Sequence, residues 1–333
     1  METPWYGFNL LPMFIKGISK AQKDDIKAMD FMAEEGFNYV RIPMDYRLWT
    51  RGFDYLHPDD SAFSVLDEYI REASDRGLHI SINLHRAPGY CINRNDIERD
   101  NLWTDRIAQE GFEFIWSYLA RKYKHISAGL LSFDLLNEPP HVGQYGCTRD
   151  VHHKVITGAI DAVRSTDPAR VICINGIGCG HLAIPELSDT GTVHSGRGYT
   201  PIGVSHYMAE WMEDRFFTKE PSWPFTDSDG LFWNRDSLKD FYEPWKQVHD
   251  KGTKVFIGEL GCYNKTPNKT AVGWLKDLLS VFTEYGWGFA FWNFKGPFGI
   301  VDHGREGARV ESYNGFPVDR ELLDVIKENM KVK

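Results

Sequence analysis

A chain of 333 residues with 42% hydrophobic and 26% charged content has the make-up of a soluble globular protein with a large core, which excludes a disordered chain. A net charge of -9 and a pI of about 5.7 offer no basic face, so neither nucleic acid nor a membrane surface is expected as a partner. No run approaches the roughly 18 apolar residues of a membrane span.

From the N-terminus onward, short β-rich runs alternate with longer stretches of helical period, the pattern of repeated βα units around a parallel sheet. The opening METPWYGFNL has no basic segment followed by an apolar one, so export by a leader is not expected of the sequence as it stands. The first run is YGFNLLPM (6–13). Its helix, AQKDDIKAMDFMAEEG, carries apolar residues three and four apart and stops at Gly36. NYVRIPMD (38–45) is the second run, with SAFSVLDEYIREASDRG as its helix, and HISINLHR (79–86) is the third. After the third comes a loop rich in turn residues, APGYCINRNDIERDNLWT, and then the helical DRIAQEGFEFIWSYLARKYK. LLSFDLLNEP (130–139) precedes the helix HHKVITGAIDAVRS, and VICINGIG (171–178) precedes only the weak IPELSDTGT.

The sixth predicted strand is IGVSHYM (202–208), followed by an aromatic connection from about Ala209 to Asn234 and the helix SLKDFYEPWKQVHDKG. KVFIGELG (254–261) and GFAFWNFKG (288–296) complete the set, each before a helix, AVGWLKDLLSVFTEYG and RELLDVIKENMK. Eight strands with interleaved helices and no Pro/Gly/Ser linker predict a single (β/α)8 TIM barrel domain over residues 1–333, with extended loops after strands three and six. A doubly wound open sheet is the alternative.

Five cysteines, Cys91, Cys147, Cys173, Cys179 and Cys262, are too scattered and odd in number for a disulfide framework; free thiols favour a reducing, cytoplasmic setting. NGIGCGH (175–181) mimics a nucleotide-binding glycine loop, but the third glycine place holds His181 and no long helix opens there. The histidines are dispersed without a ligand spacing such as H-E-x-x-H. No cofactor and no metal are therefore expected. The NKT triplets at Asn264 and Asn268 match glycosylation acceptors, which matter only in a eukaryotic secretory route.

In a barrel the reacting groups lie at the C-terminal ends of the strands. The predicted ends hold Arg41, His85, Asn137 with Glu138, His206 with Tyr207, Glu259 and Trp292. A pair of carboxylates is what glycoside hydrolysis uses. Strands four and seven face each other across eight strands, so Glu138 and Glu259 can converge on the mouth; roughly 5 Å between them would give retention and a wider gap inversion.

The motifs RIP, LHRAPG, NEP, GELG and FWNFKGPFGI, in this order, resemble family 5 of the glycoside hydrolases, the (β/α)8 cellulase and mannanase family. The resemblance runs from about Trp5 to the last helix. It implies Glu138 as general acid/base, Glu259 as nucleophile, Asn137 on the sugar 2-hydroxyl, Trp292 as floor of the sugar site with a non-proline cis peptide after it, and His85 on the polar wall. Glu259 must stay ionised, for which Arg41 and Tyr207 are the expected cation and donor. The family carries His and Tyr two apart on strand six, whereas SHYM makes them adjacent. Because side chains alternate faces along a strand, Tyr207 points in with Ser205 in the His place, or His206 points in with Met208 in the Tyr place, unless a bulge admits both. Tyr207 is favoured, since the nucleophile needs a donor.

The expectation is a monomeric, retaining β-glycosidase acting on oligo- or polysaccharide with β-linked gluco or manno units, a β-1,4-glucan first. β-1,3-Glucanase, β-mannanase, β-mannosidase, exo-glucosidase and a silent sugar-binding barrel are the alternatives. Trp211, Trp223 and Trp233 are candidates for sugar subsites, since exposed Trp is costly without a ligand.

Overall fold

The computed structural model describes residues 4–14, 21–217 and 219–330. Eight parallel strands close a barrel: β1 (Tyr6–Asn9), β2 (Tyr39–Asp45), β3 (His79–Arg86), β4 (Leu131–Asp134), β5 (Val171–Asn175), β6 (Val193–Gly198), β7 (Lys254–Leu260) and β8 (Gly288–Phe291). Their order around the barrel is β1-β8-β7-β6-β5-β4-β3-β2. Between them run α1 (Lys23–Glu34), α2 (Ser64–Asp75), α3 (Arg106–Tyr123), α4 (Arg149–Arg164), α5 (Arg235–Asp250) and α6 (Asn268–Tyr285), and α7 (Arg320–Glu328) follows β8. The predicted final Lys331 of α7 lies outside the described residues.

The predicted sixth strand is a correction. Ile202–Ser205 form a one-turn helix ending at His206, and β6 is the preceding segment VHSGRG, Val193–Gly198. Its polar side chains and two glycines lower strand propensity, so local preference gave no signal. All six of its residues are nevertheless buried, and barrel packing outweighs propensity there. The weak IPELSDTGT forms only a 3-10 turn, Pro185–Thr190, between β5 and β6.

The described residues fall into two compact units, within the ranges 10–196 and 248–255 for one and 1–9, 197–247 and 256–333 for the other. In the first, β2, β3, β4 and β5 pair in parallel with Arg41 opposite Ser81, Ile80 opposite Leu131 and Ser132 opposite Val171. The strands are buried on both faces, as a parallel sheet covered by helices requires. The helix α3 shows why: Phe112, Ile115, Trp116, Leu119 and Tyr123 recur at three and four residues and are buried, and Trp116 packs 5.2 Å from Phe133 of β4. Thr148 caps α4 by accepting from the Val151 amide.

In the second unit β8 pairs with β1, Tyr6 opposite Phe289, and with β7, Gly288 opposite Phe256. Asn9 ties the two neighbours of β8, donating to the carbonyls of Gly258 and Phe291, each at 3.1 Å. Gly288 is required because a Cβ there would lie 2.2 Å from the Trp5 carbonyl oxygen. The long connection after β6 contains the short hairpin Phe225–Thr226 with Phe232–Trp233, and a second hairpin, Val310–Tyr313 with Phe316–Asp319, leads into α7. There Asp319 accepts from the Leu322 amide as cap.

Candidate active site

On the β2 to β5 side a polar network grows from Asp134, near the C-terminal end of β4. Its carboxylate accepts from Arg41 Nε at 2.7 Å and from Asn175 Nδ2 at 2.6 Å, with both side chains of the ion pair out of solvent. Arg41 reaches on with Nη2 to Asn137 Oδ1 at 3.0 Å. The Asn137 amide in turn approaches His85 Nε2 at 3.4 Å, so that nitrogen accepts. Arg41, Asn137 and His85 are thus one buried group, each oriented by the next. Glu138, half-buried, has φ +47, in the left-handed region. Asn175 Oδ1 accepts its N–H at 3.2 Å and Tyr90 Oη donates to its carbonyl at 2.6 Å.

On the β6 to β8 side the centre is Glu259, 3% exposed, near the end of β7. Arg197 Nη2 lies 3.2 Å from its Oε1, and Tyr199 Oη donates to its Oε2 at 3.2 Å. A guanidinium and a phenol O–H on a buried carboxylate both favour its charged form and so offset the cost of burying it. Tyr199 is braced from behind. Ser205 Oγ donates to its carbonyl and lies 2.8 Å from His206 Nδ1, and the His206 ring packs edge-on to Tyr199 with centroids 4.9 Å apart. Burial lowers the His206 pKa to about 4. Trp292 follows β8, its amide donating to the Leu260 carbonyl at 2.7 Å, and the Trp292–Asn293 peptide is cis as the resemblance implied.

One expected partner of Glu259 is therefore corrected. The tyrosine on it is Tyr199, while Tyr207 packs edge-on to Phe217 at 5.8 Å. Neither face-alternation reading of Ser205 to Met208 applies, because those residues leave a helical turn and not a strand. Arg41, the expected cation, pairs with Asp134, and Arg197 stands on Glu259 as a cation that sequence reasoning did not name. Arg197, Tyr199, Asp134 and Asn175 were missed by sequence reasoning. The signal available was R-x-Y at 197–199, two residues apart, at the end of an otherwise unpromising strand. Of the loop tryptophans, Trp223 and Trp233 are anchored through indole bonds to Asp277 and Asp227, each at 2.8 Å. Trp211 is 60% exposed and stands edge-on to Tyr263.

The chain closes a (β/α)8 barrel, a fold whose reacting groups lie at the C-terminal ends of its strands. It belongs to the cellulase family, glycosyl hydrolase family 5, whose profile matches residues 2–297. Among its relatives, Endoglucanase C of Acetivibrio thermocellus is 25% identical over 90% of each chain, and Cellodextrinase A of Ruminococcus flavefaciens is 23% identical over 80% of this chain and 76% of its own. A crystal structure of a glycoside hydrolase superposes with a TM-score of 0.94 at 52% identity, over 98% of this chain and 99% of that one. The fold is also that of Cel5A of Thermotoga maritima in complex with mannotriose, with a TM-score of 0.76 at 22% identity over 98% of both chains. The protein is thus a β-glycoside hydrolase with a carbohydrate substrate.

Proposed function

We propose that this enzyme is a retaining β-glycosidase that cleaves β-1,4-glucan or its oligosaccharides by double displacement, with Glu259 as nucleophile and Glu138 as general acid/base. The observation that carries the reading is the setting of Glu259, a carboxylate removed from solvent yet held between Arg197 and Tyr199, whose donors favour the charged form a nucleophile needs. In the first step Glu259 attacks the anomeric carbon while Glu138 gives its proton to the leaving oxygen. In the second, water, deprotonated by Glu138, displaces Glu259, and the anomeric configuration is restored.

The other residues follow from the same chemistry. Asn137, fixed by Arg41, binds the sugar 2-hydroxyl, and His85 closes that wall. Trp292 lies under the C–H face of a pyranose, and Trp211 offers a second apolar face further along the chain of sugars. Relatives named endoglucanase and cellodextrinase support a glucan substrate. We assign the whole chain to one catalytic domain acting as a monomer.

The test is a panel of β-glucans, mannan and aryl β-glycosides, assayed with the parent and with Glu259→Ala, with the first-formed anomer read by NMR. A retained anomer from the parent and no turnover by the variant are expected. An inverted product refutes double displacement, and a fully active variant removes Glu259 as nucleophile.

A further inference from the structure

Glu138 occupies a conformation that its own sequence disfavours. Left-handed φ is uncommon for a residue with a side chain, and a following proline, here Pro139, steers its predecessor toward extended backbone. The direction in which the carboxyl leaves β4 is set by this φ, so something must hold it. Both polar groups of the residue's backbone are taken by side chains from other parts of the fold. Asn175, at the end of β5, accepts the Glu138 N–H, and Tyr90, in the loop after β3, donates to the Glu138 carbonyl.

Both holders are themselves fixed. Asn175 is 1% exposed and is oriented by its 2.6 Å bond to Asp134, the same carboxylate that orients Arg41 and, through it, Asn137. Tyr90 is fully buried, with Trp103 edge-on at 5.3 Å. Burial raises the Tyr90 pKa well above its ordinary value, so the hydroxyl stays a donor at any working pH. The carbonyls of Pro139 and Pro140 accept from the amides of Cys179 and Gly178, which pins the chain just beyond.

We propose that Asn175 and Tyr90 are positioning residues for proton transfer: they clamp the Glu138 backbone in its left-handed form and thereby aim the carboxyl at the leaving-group oxygen. The inference rests on the reading of Glu138 as acid/base. A misaimed acid harms only departures that need a proton. Good leaving groups depart unaided, so the clamp has a kinetic signature that a general loss of structure lacks.

The experiment measures kcat/KM for Tyr90→Phe, Asn175→Ala and Glu138→Ala on aryl β-glycosides from dinitrophenyl to phenyl, built on whichever of cellobiose or mannobiose the parent cleaves. Thermal melting is followed in parallel. Tyr90→Phe and Asn175→Ala are each expected to lose about tenfold on the phenyl glycoside, the effect of one hydrogen bond, and to stay within about twofold of the parent on the dinitrophenyl glycoside. Glu138→Ala should show the same trend more steeply. Equal losses across the series, or no loss on the phenyl glycoside, overturn the clamp. If Asn175→Ala does not fold, Tyr90→Phe, which lacks only a hydroxyl, decides. A Glu138→Ala variant without leaving-group dependence refutes the acid/base reading and the clamp together, whereas its presence there and absence in folded Tyr90→Phe refutes the clamp alone.

Discussion

Replacing Arg197 by Met removes a guanidinium 3.2 Å from Glu259 Oε1 in a place where neither side chain meets solvent. Two unit charges at that spacing attract by about 5 kcal/mol at an effective dielectric of about 20, of which desolvating the ions offsets a part. What remains favours the charged carboxylate over the neutral acid. Since the nucleophile must be ionised to attack, the acid limb of kcat/KM against pH is expected to move upward in Arg197→Met. Arg197→Lys, which keeps a charge, should move it less. Stability suffers as well, by about 3–5 kcal/mol, because a buried carboxylate loses a buried counter-ion. Rates are therefore taken only where a urea titration shows the variant folded. An acid limb that stays at the parent's position in folded Arg197→Met refutes the assignment of Arg197 as the cation that keeps the nucleophile ionised.

Tyr199→Phe deletes the phenol that donates to Glu259 Oε2 and nothing else of the ring; a charge-assisted bond of about 1.5–3 kcal/mol predicts a fall in kcat/KM of roughly ten- to a hundredfold. An unchanged rate would make Tyr199 only a packing residue. Asp134→Ala removes the buried carboxylate that Arg41 and Asn175 both bind, so a loss of about 3–5 kcal/mol by urea unfolding is expected, together with loss of turnover. His152 is fully buried against Trp103 and its pKa is lowered by burial from 6.5 to about 4. The unfolded chain thus binds more protons between those values, so stability present above pH 6.5 is lost as pH falls toward 4, by about 3 kcal/mol at roughly 1.4 kcal/mol per pH unit. His152→Phe, which keeps a ring on Trp103, is expected to flatten that part of the stability profile in urea melts across this range; an unchanged slope would show that His152 is not its source.

The sequence by itself determined the barrel and most of its mouth. Strands buried on both faces must read as apolar runs, and helices lying on a sheet must repeat every three to four residues. Both patterns are visible in the chain at seven of the eight strands and in the helices. The polar residues at or just beyond the ends of such runs, His85, Asn137, Glu138 and Glu259, stand out for the same reason, a charge or amide closing a buried strand contradicting its surroundings, whereas Arg41, expected at the end of β2, is the third of its seven residues. The sixth strand was decided only by tertiary structure. VHSGRG has nothing locally that favours a strand, and its polar groups are stable there because the barrel supplies partners such as Glu259 for Arg197. IGVSHYM, the better strand by local composition, becomes one helical turn behind Tyr199. Likewise, only the fold shows that Asn175 and Tyr90 hold the backbone of Glu138 from positions 37 and 48 residues away in the chain. Hydrogen-bond partners so far apart leave no periodicity to read, and the three-dimensional pairing alone assigns them.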